Sequence, residues 1–182
     1  MKTRLLFLLL VLFSAQFVHA QKYASAYKPI EGFLGVKFGA SKKAIMETAQ
    51  SLGGVLDQAD SKGDAIAFDR IIISGRPAVH TVFYTSRNKF RQGLAYFKPS
   101  SKTETSALFT QMVEEISDIY GHGELQKSFP SEEIKELELK AIEAGKGTVN
   151  CIWKSNTDNV ISLEITDDLL VKLTYQDGSL HD

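Results

Sequence analysis

The chain of 182 residues has one cysteine, Cys151, four prolines and one tryptophan, Trp153. A single cysteine excludes a disulfide framework within the chain and a multi-cysteine zinc site. In a strand pattern it reads as a small buried hydrophobe, and no histidine lies in its segment to activate it. Neither sign of charge is in excess: 21 Lys and Arg stand against 22 Asp and Glu. A general nucleic-acid binder needs a basic patch, so no nucleic-acid partner is expected. Histidine is scarce as well. His80, His122 and His181 lie far apart, and none forms an H-x-x-x-H pair. There is no G-x-S-x-G elbow and no glycine-rich loop ending in Lys-Ser/Thr. Gly121-His122-Gly123 lacks the third glycine of a dinucleotide fingerprint and follows a helical pattern, so it reads as a helix cap. The sequence therefore assigns no catalytic residue, no cofactor and no metal ligand set.

What is present begins with a targeting segment at residues 1–20. Lys2 and Arg4 precede an unbroken apolar run at 5–13, and Val18-His19-Ala20 supplies a cleavage signature. The run is too short for a bilayer, which takes about 20 apolar residues. Cleavage after Ala20 is expected to leave Gln21 as the N-terminus of a protein exported to the periplasm or beyond, with no transmembrane segment. That mature chain holds 19 basic and 22 acidic residues, a net charge of −3. It is long enough for one domain with a real core or two small halves.

Hydrophobic periodicity divides the rest. Residues 21–40 read as an N-terminal arm, polar and loosely held up to Glu31, then apolar at 33–38. Ser41 is placed to cap a helix carrying Ile45, Ala49 and Leu52, closed by Gly53-Gly54. Strands follow at 65–73 and in a hairpin at 79–97, turning at Ser86-Arg87-Asn88-Lys89. Ser101-Lys102-Thr103-Glu104 has capping-box spacing, and its helix runs to about Tyr120. A charged segment near 131–144 reads as a helical insertion, and three more strands are expected at 148–154, 160–166 and 169–175. The order of elements repeats. Residues 41–98 and 99–182 read as two tandem αβββ units, in an α+β fold of helices packed on antiparallel sheet.

Tandem helix-plus-antiparallel-sheet units in an exported chain resemble the β-lactamase-inhibitor-protein-like fold. The run from Gly39-Ala40-Ser41-Lys42-Lys43 to Gly53 is similar to the helix opening and closing of single units in SmpA/OmlA-type outer-membrane assembly lipoproteins. The chain also resembles small secreted proteins of Gram-negative bacteria. The resemblance implies an inhibitory or envelope-assembly activity.

Strand alternation gives the site expectation. In the second unit Ile161, Leu163, Ile165, Val171 and Leu173 mark a buried face, and Ser162, Glu164, Lys172 and Thr174 a wet one. Aligning the units through Phe90, Leu94 and Tyr96 would bury Val82 and Tyr84 in the first. Its other face would then present Thr81, Phe83, Arg91, Gly93, Ala95 and Phe97. An uncovered apolar patch marks a contact surface, so Thr81, Phe83, Arg91, Ala95 and Phe97 are the candidate ligand-binding residues. The alternative is that the arm or the charged helix covers them. The nearest approach to a metal site is the acidic loop of Asp57, Asp60 and Asp64, whose oxygens suit calcium but whose spacing does not follow the EF-hand. The expected function is an exported, non-enzymatic binding protein that holds a protein, peptide or envelope component on a sheet face. A secreted hydrolase with an acidic site, or a structural envelope protein, are the alternatives.

Overall fold

The computed structural model describes residues 27–129 and 138–181. The export segment, and residues 131–137 of the charged segment, lie outside the described residues. Both long helices start where a serine can cap them. In α1 (Lys42–Ser51) the Ser41 hydroxyl accepts from the Ala44 amide at 3.3 Å. In α2 (Lys102–Tyr120) Ser101 accepts from the Glu104 amide at 3.2 Å. The Glu104 carboxylate reaches back to the Ser100 amide at 3.0 Å, so the reciprocal half of the capping box closes one residue earlier than its spacing predicts. The second helix ends at Gly121, whose φ of 88° lies in the region glycine tolerates and whose amide donates to the Ser117 carbonyl. Of the charged segment, the described helix is α3 (Glu138–Glu143).

An antiparallel hairpin of β1 (Gly32–Phe33) and β2 (Val36–Lys37) precedes α1. After it come β3 (Val55–Asp57), β4 (Ala65–Asp69), β5 (Ile72–Ile73), β6 (Arg76–Pro77), β7 (His80–Ser86) and β8 (Lys89–Phe97). After α2 come β9 (Glu124–Ser128), β10 (Thr148–Lys154), β11 (Val160–Ile165) and β12 (Val171–Gln176). Eight strands form one antiparallel sheet in the order β3-β4-β7-β8-β12-β11-β10-β9. Each half of that sheet is thus a helix followed by four strands in meander, and the two last strands meet at the centre. The strands that follow the two long helices, β3 and β9, form the sheet edges; β3 is only three residues long and β9 is mostly polar, so neither carries a strong strand signal. The predicted strand at 65–73 is divided, because Arg70 adopts a positive φ of 64° and turns the chain into the small β5–β6 hairpin. The β7–β8 turn is a two-residue loop with Arg87 at φ 50° and Asn88 at φ 63°, the geometry that matches strand twist.

One principal core lies between the sheet and the helices. Ile45 and Ala49 of α1 and Phe109, Met112 and Ile116 of α2 pack with Phe68, Phe83, Phe90, Trp153, Ile161 and Leu163 of the strands. Ile142 of α3 joins the same core. The described part of the arm is not the loose lead-in expected from its polarity. From Tyr27 on it is fixed: the Lys28 amide donates to the Ile119 carbonyl at 2.9 Å, and Asn159 Nδ2 donates to the Ile30 carbonyl at 2.7 Å. Ile30, Phe33 and Val36 are buried. The Phe33 ring lies 5.5 Å from that of Phe83 in the first half and 5.3 Å from that of Tyr175 in the second. It is a wedge over the seam of the two half-sheets.

Candidate functional site

Four of the five residues expected to form a contact surface are core. Thr81, Phe83 and Ala95 are fully buried and Phe97 is 2 % exposed. Cross-strand partners share a face. Ala95 is paired with Leu173 and Gly93 with Tyr175, while Leu94 is paired with Thr174. Alignment of the halves through Leu94 and Tyr96 is therefore out by one residue, and a one-residue slip exchanges the two faces of a strand. The physical cause is the arm. A Cβ built on Gly93 would stand 2.2 Å from Cδ1 of Phe33. Gly93 and Ala95 are small because an aromatic ring already occupies the floor they make. The Thr81 hydroxyl, expected to orient a partner, is buried with no hydrogen-bond partner among the described residues.

Arg91, the fifth, is structural too. The β7–β8 register shifts between Tyr84 and Thr85, which leaves Arg91 as the extra residue of a bulge. Its Nη1 donates to Asp177 Oδ2 at 2.6 Å and to Ser179 Oγ at 2.7 Å, tying β8 to the chain beyond β12. Burial works to raise the Asp177 pKa, but hydrogen bonds from Arg91 and Ser179 and the guanidinium charge outweigh it and hold the carboxyl below its ordinary value.

The opposite face of the sheet carries none of the described helices, although Ala67, Val82, Leu94 and Thr174 along its middle are themselves buried. Register places Asp57, Ala67, Val82, Leu94, Thr174, Ser162, Ile152 and Glu124 in one row across all eight strands. A flanking row holds Ala65, Tyr84, Gln92, Gln176, Val160 and Lys154. The other flank carries Tyr96, Lys172, Glu164, Asn150 and Gln126. Ala67, Val82 and Leu94 form a small separate cluster with Ala65 and Tyr96, built from strand residues alone. No described helix packs on it. Tyr84 is 38 % exposed. Lys172 donates to Glu164 at 2.7 Å as a direct cross-strand pair, which cancels the charge at the middle of the face. Burial works to lower the Lys172 pKa, and the Glu164 hydrogen bond and charge more than offset it, so the ammonium stays charged. Beside this pair, residues of the α3–β10 and β11–β12 connections join Tyr96 to line a hollow of about 500 Å³.

At the β3 edge of the same face the sheet assembles a cluster that the sequence does not announce. Asp57 ends β3, Asp69 ends β4 and His80 begins β7. One donor atom from each lies within 4.8 Å of the others. His80 Nδ1 is 3.7 Å from Asp69 Oδ1, and Nε2 is 3.6 Å from Asp60 Oδ2. The acidic-loop grouping is corrected in part. Asp57 and Asp60 belong to this cluster, whereas Asp64 is held by Lys42 at 3.6 Å and by the Thr85 hydroxyl at 3.3 Å. The only sequence signal was alternation, which puts Asp57, Asp69 and His80 at the outward ends of three neighbouring strands.

No protein-family model, curated protein or solved structure matches the chain. The remaining reactive group, Cys151, is 1 % exposed between Leu125 and Leu163 on the covered face, and burial pushes its thiol pKa up. No helix among the described residues is long and apolar enough to cross a membrane.

Proposed function

We propose that this chain is an exported, non-enzymatic binding protein that holds a partner protein on the helix-free face of its eight-stranded sheet. The observation that carries the reading is the one-sidedness of the fold: α1, α2, α3 and the β1–β2 arm all pack into one core. Eight strands at a spacing of about 4.8 Å make a face about 35 Å wide. That is the scale of a standard protein interface, about 800 Å² per partner, and not of a small-molecule pocket. The chemistry of the face agrees. Tyr84 and Tyr96 supply aromatic area, Gln92, Gln176 and Ser162 supply uncharged polar groups, and the central ion pair is self-neutralised. The proposed relation to the β-lactamase-inhibitor-protein-like fold rests on two helix-first halves joined into one sheet, and export rests on residues 1–20.

The test compares three forms of the chain as bait against envelope extract of the host: the parent, Tyr84→Ser/Tyr96→Ser, and Glu114→Ser on the exposed surface of α2. A species bound by the parent and by Glu114→Ser, but retained at least tenfold less by the double variant at unchanged thermal stability, supports the reading. Equal retention by all three, or no enriched species, overturns it and favours a structural envelope role.

A further inference from the structure

We propose that Asp57, Asp69 and His80 bind a single divalent transition-metal ion of the zinc class, with Asp60 holding the imidazole from behind. The inference is independent of the partner-binding role.

The geometry is of the right kind at each ligand. Zinc is held by imidazole nitrogen and carboxylate oxygen at about 2.0–2.2 Å, so two donors on a tetrahedral ion lie roughly 3.4 Å apart. His80 Nδ1 and Asp69 Oδ1 are 3.7 Å apart, and Asp57 reaches the same space within 4.8 Å. Small side-chain rotations close the set, with water completing it. The three ligands come from neighbouring strands of one sheet, which fixes their backbones better than a loop does. Asp57 is further oriented by its own turn. Its Oδ1 accepts from the amides of Ala59 at 2.9 Å and Asp60 at 3.3 Å, which leaves Oδ2 for an ion.

The other side of the imidazole makes the assignment specific. An imidazole bound through one nitrogen donates its second N–H to a carboxylate or carbonyl, and this partner fixes the tautomer. Asp60 stands at that position, 3.6 Å from Nε2. A ring between two carboxylates has one nitrogen for the ion and one for Asp60. Charge points the same way: among the described residues no lysine or arginine pairs with Asp57, Asp60 or Asp69, whereas Asp64, outside the cluster, is paired with Lys42. One imidazole with two or three carboxylates favours zinc-class ions over calcium or magnesium, which prefer oxygen alone. Bound there, the ion would clamp the edge strand β3 to β4 and β7.

The experiment is titration of the full chain, freed of metal by chelator, with Zn²⁺ alone, in parallel with Ca²⁺ and Mg²⁺. Affinity is read by competition with a chromophoric chelator, and ¹⁵N-histidine NMR reads the ligating nitrogen. The expected result is one Zn²⁺ per chain, a metal-dependent shift at His80 Nδ1 and not Nε2, and at least tenfold weaker Ca²⁺ and Mg²⁺. Asp69→Asn and His80→Ala should each weaken Zn²⁺ at least tenfold, as should Asp57→Asn. Asp60→Asn should weaken it about tenfold while keeping the stoichiometry. His122→Ala should change nothing. Zn²⁺ bound equally by parent and Asp69→Asn, a shift at another histidine, or Ca²⁺ bound as tightly as Zn²⁺ overturns the site. If His80→Ala fails to fold, the NMR of the parent still decides.

Discussion

Gly93→Ala should destabilise this protein by about 2–4 kcal/mol, although alanine in a strand interior is normally better than glycine by about 0.5–1 kcal/mol. The sign is set by Phe33. The added methyl carbon would stand 2.2 Å from Cδ1, 2.5 Å from Cγ and 2.9 Å from Cβ of that residue, where carbon atoms normally meet at about 3.5–4.0 Å. The ring has no free side to move into, since Phe33 is 2 % exposed and packed against Phe83 and Tyr175. Overpacking of this kind costs about 1–3 kcal/mol if the surroundings yield. If the arm lifts instead, burial of a phenylalanine is lost, about 1.5–3 kcal/mol, along with the Asn159 hydrogen bond of about 1 kcal/mol. Urea denaturation at neutral pH measures the effect. Phe33→Ala alone should cost about 3–5 kcal/mol. In that background the methyl of Gly93→Ala has a cavity to enter, so the second substitution should be neutral or slightly stabilising. The double-mutant coupling should thus be about 2–4 kcal/mol. Additive effects, or a stabilising Gly93→Ala in the parent, would refute the placement of the arm on the seam.

Three further outcomes are expected, the first two from the structure and the third from the sequence. Asp177→Asn should destabilise by about 1–2 kcal/mol at neutral pH, because it leaves the guanidinium of Arg91 half-buried without its counter-charge. Since the Asp177 pKa is lowered on folding, its contribution is complete above the ordinary carboxylate range and is lost as pH falls through the depressed value; acid unfolding curves of the variant should lack that component. The Cys151 thiol should react with a disulfide reagent only on unfolding, and rapid labelling of the native chain would contradict its burial. Intact mass of the protein from its host should correspond to a chain beginning at Gln21, and retention of residues 1–20 would refute export by cleavage.

The α+β class, helices on antiparallel sheet, was legible in the sequence because each element carries its own signal. Ser41 and Ser101 cap helices with apolar stripes, and 148–154, 160–165 and 171–176 alternate cleanly because one face is buried and the other is wet. The faces of β7 and β8 were not legible, for a physical reason. Both faces are largely apolar there: Phe83, Phe90 and Phe97 fill the core, while Val82 and Leu94 cluster on the far side. Alternation then gives no sign, and the register depends on Phe33, some 60 residues away in the chain. Size complementarity was the available signal, with Gly93 and Ala95 opposite a large residue of the dense 33–38 group. The cluster of Asp57, Asp69 and His80 was hidden similarly. Its members are spread over 24 positions, and only the β3-β4-β7 order brings them together.

The central claim, that a partner sits on the helix-free sheet face, is tested most directly by position-specific photocrosslinking in the host. A photoreactive side chain at Gln92 or Ser162, both on that face, should give the same discrete crosslinked species. One at Glu114, exposed on α2, should give none of it. A species captured from Glu114 as efficiently as from Gln92 and Ser162, or captured from the α2 position only, would contradict the account.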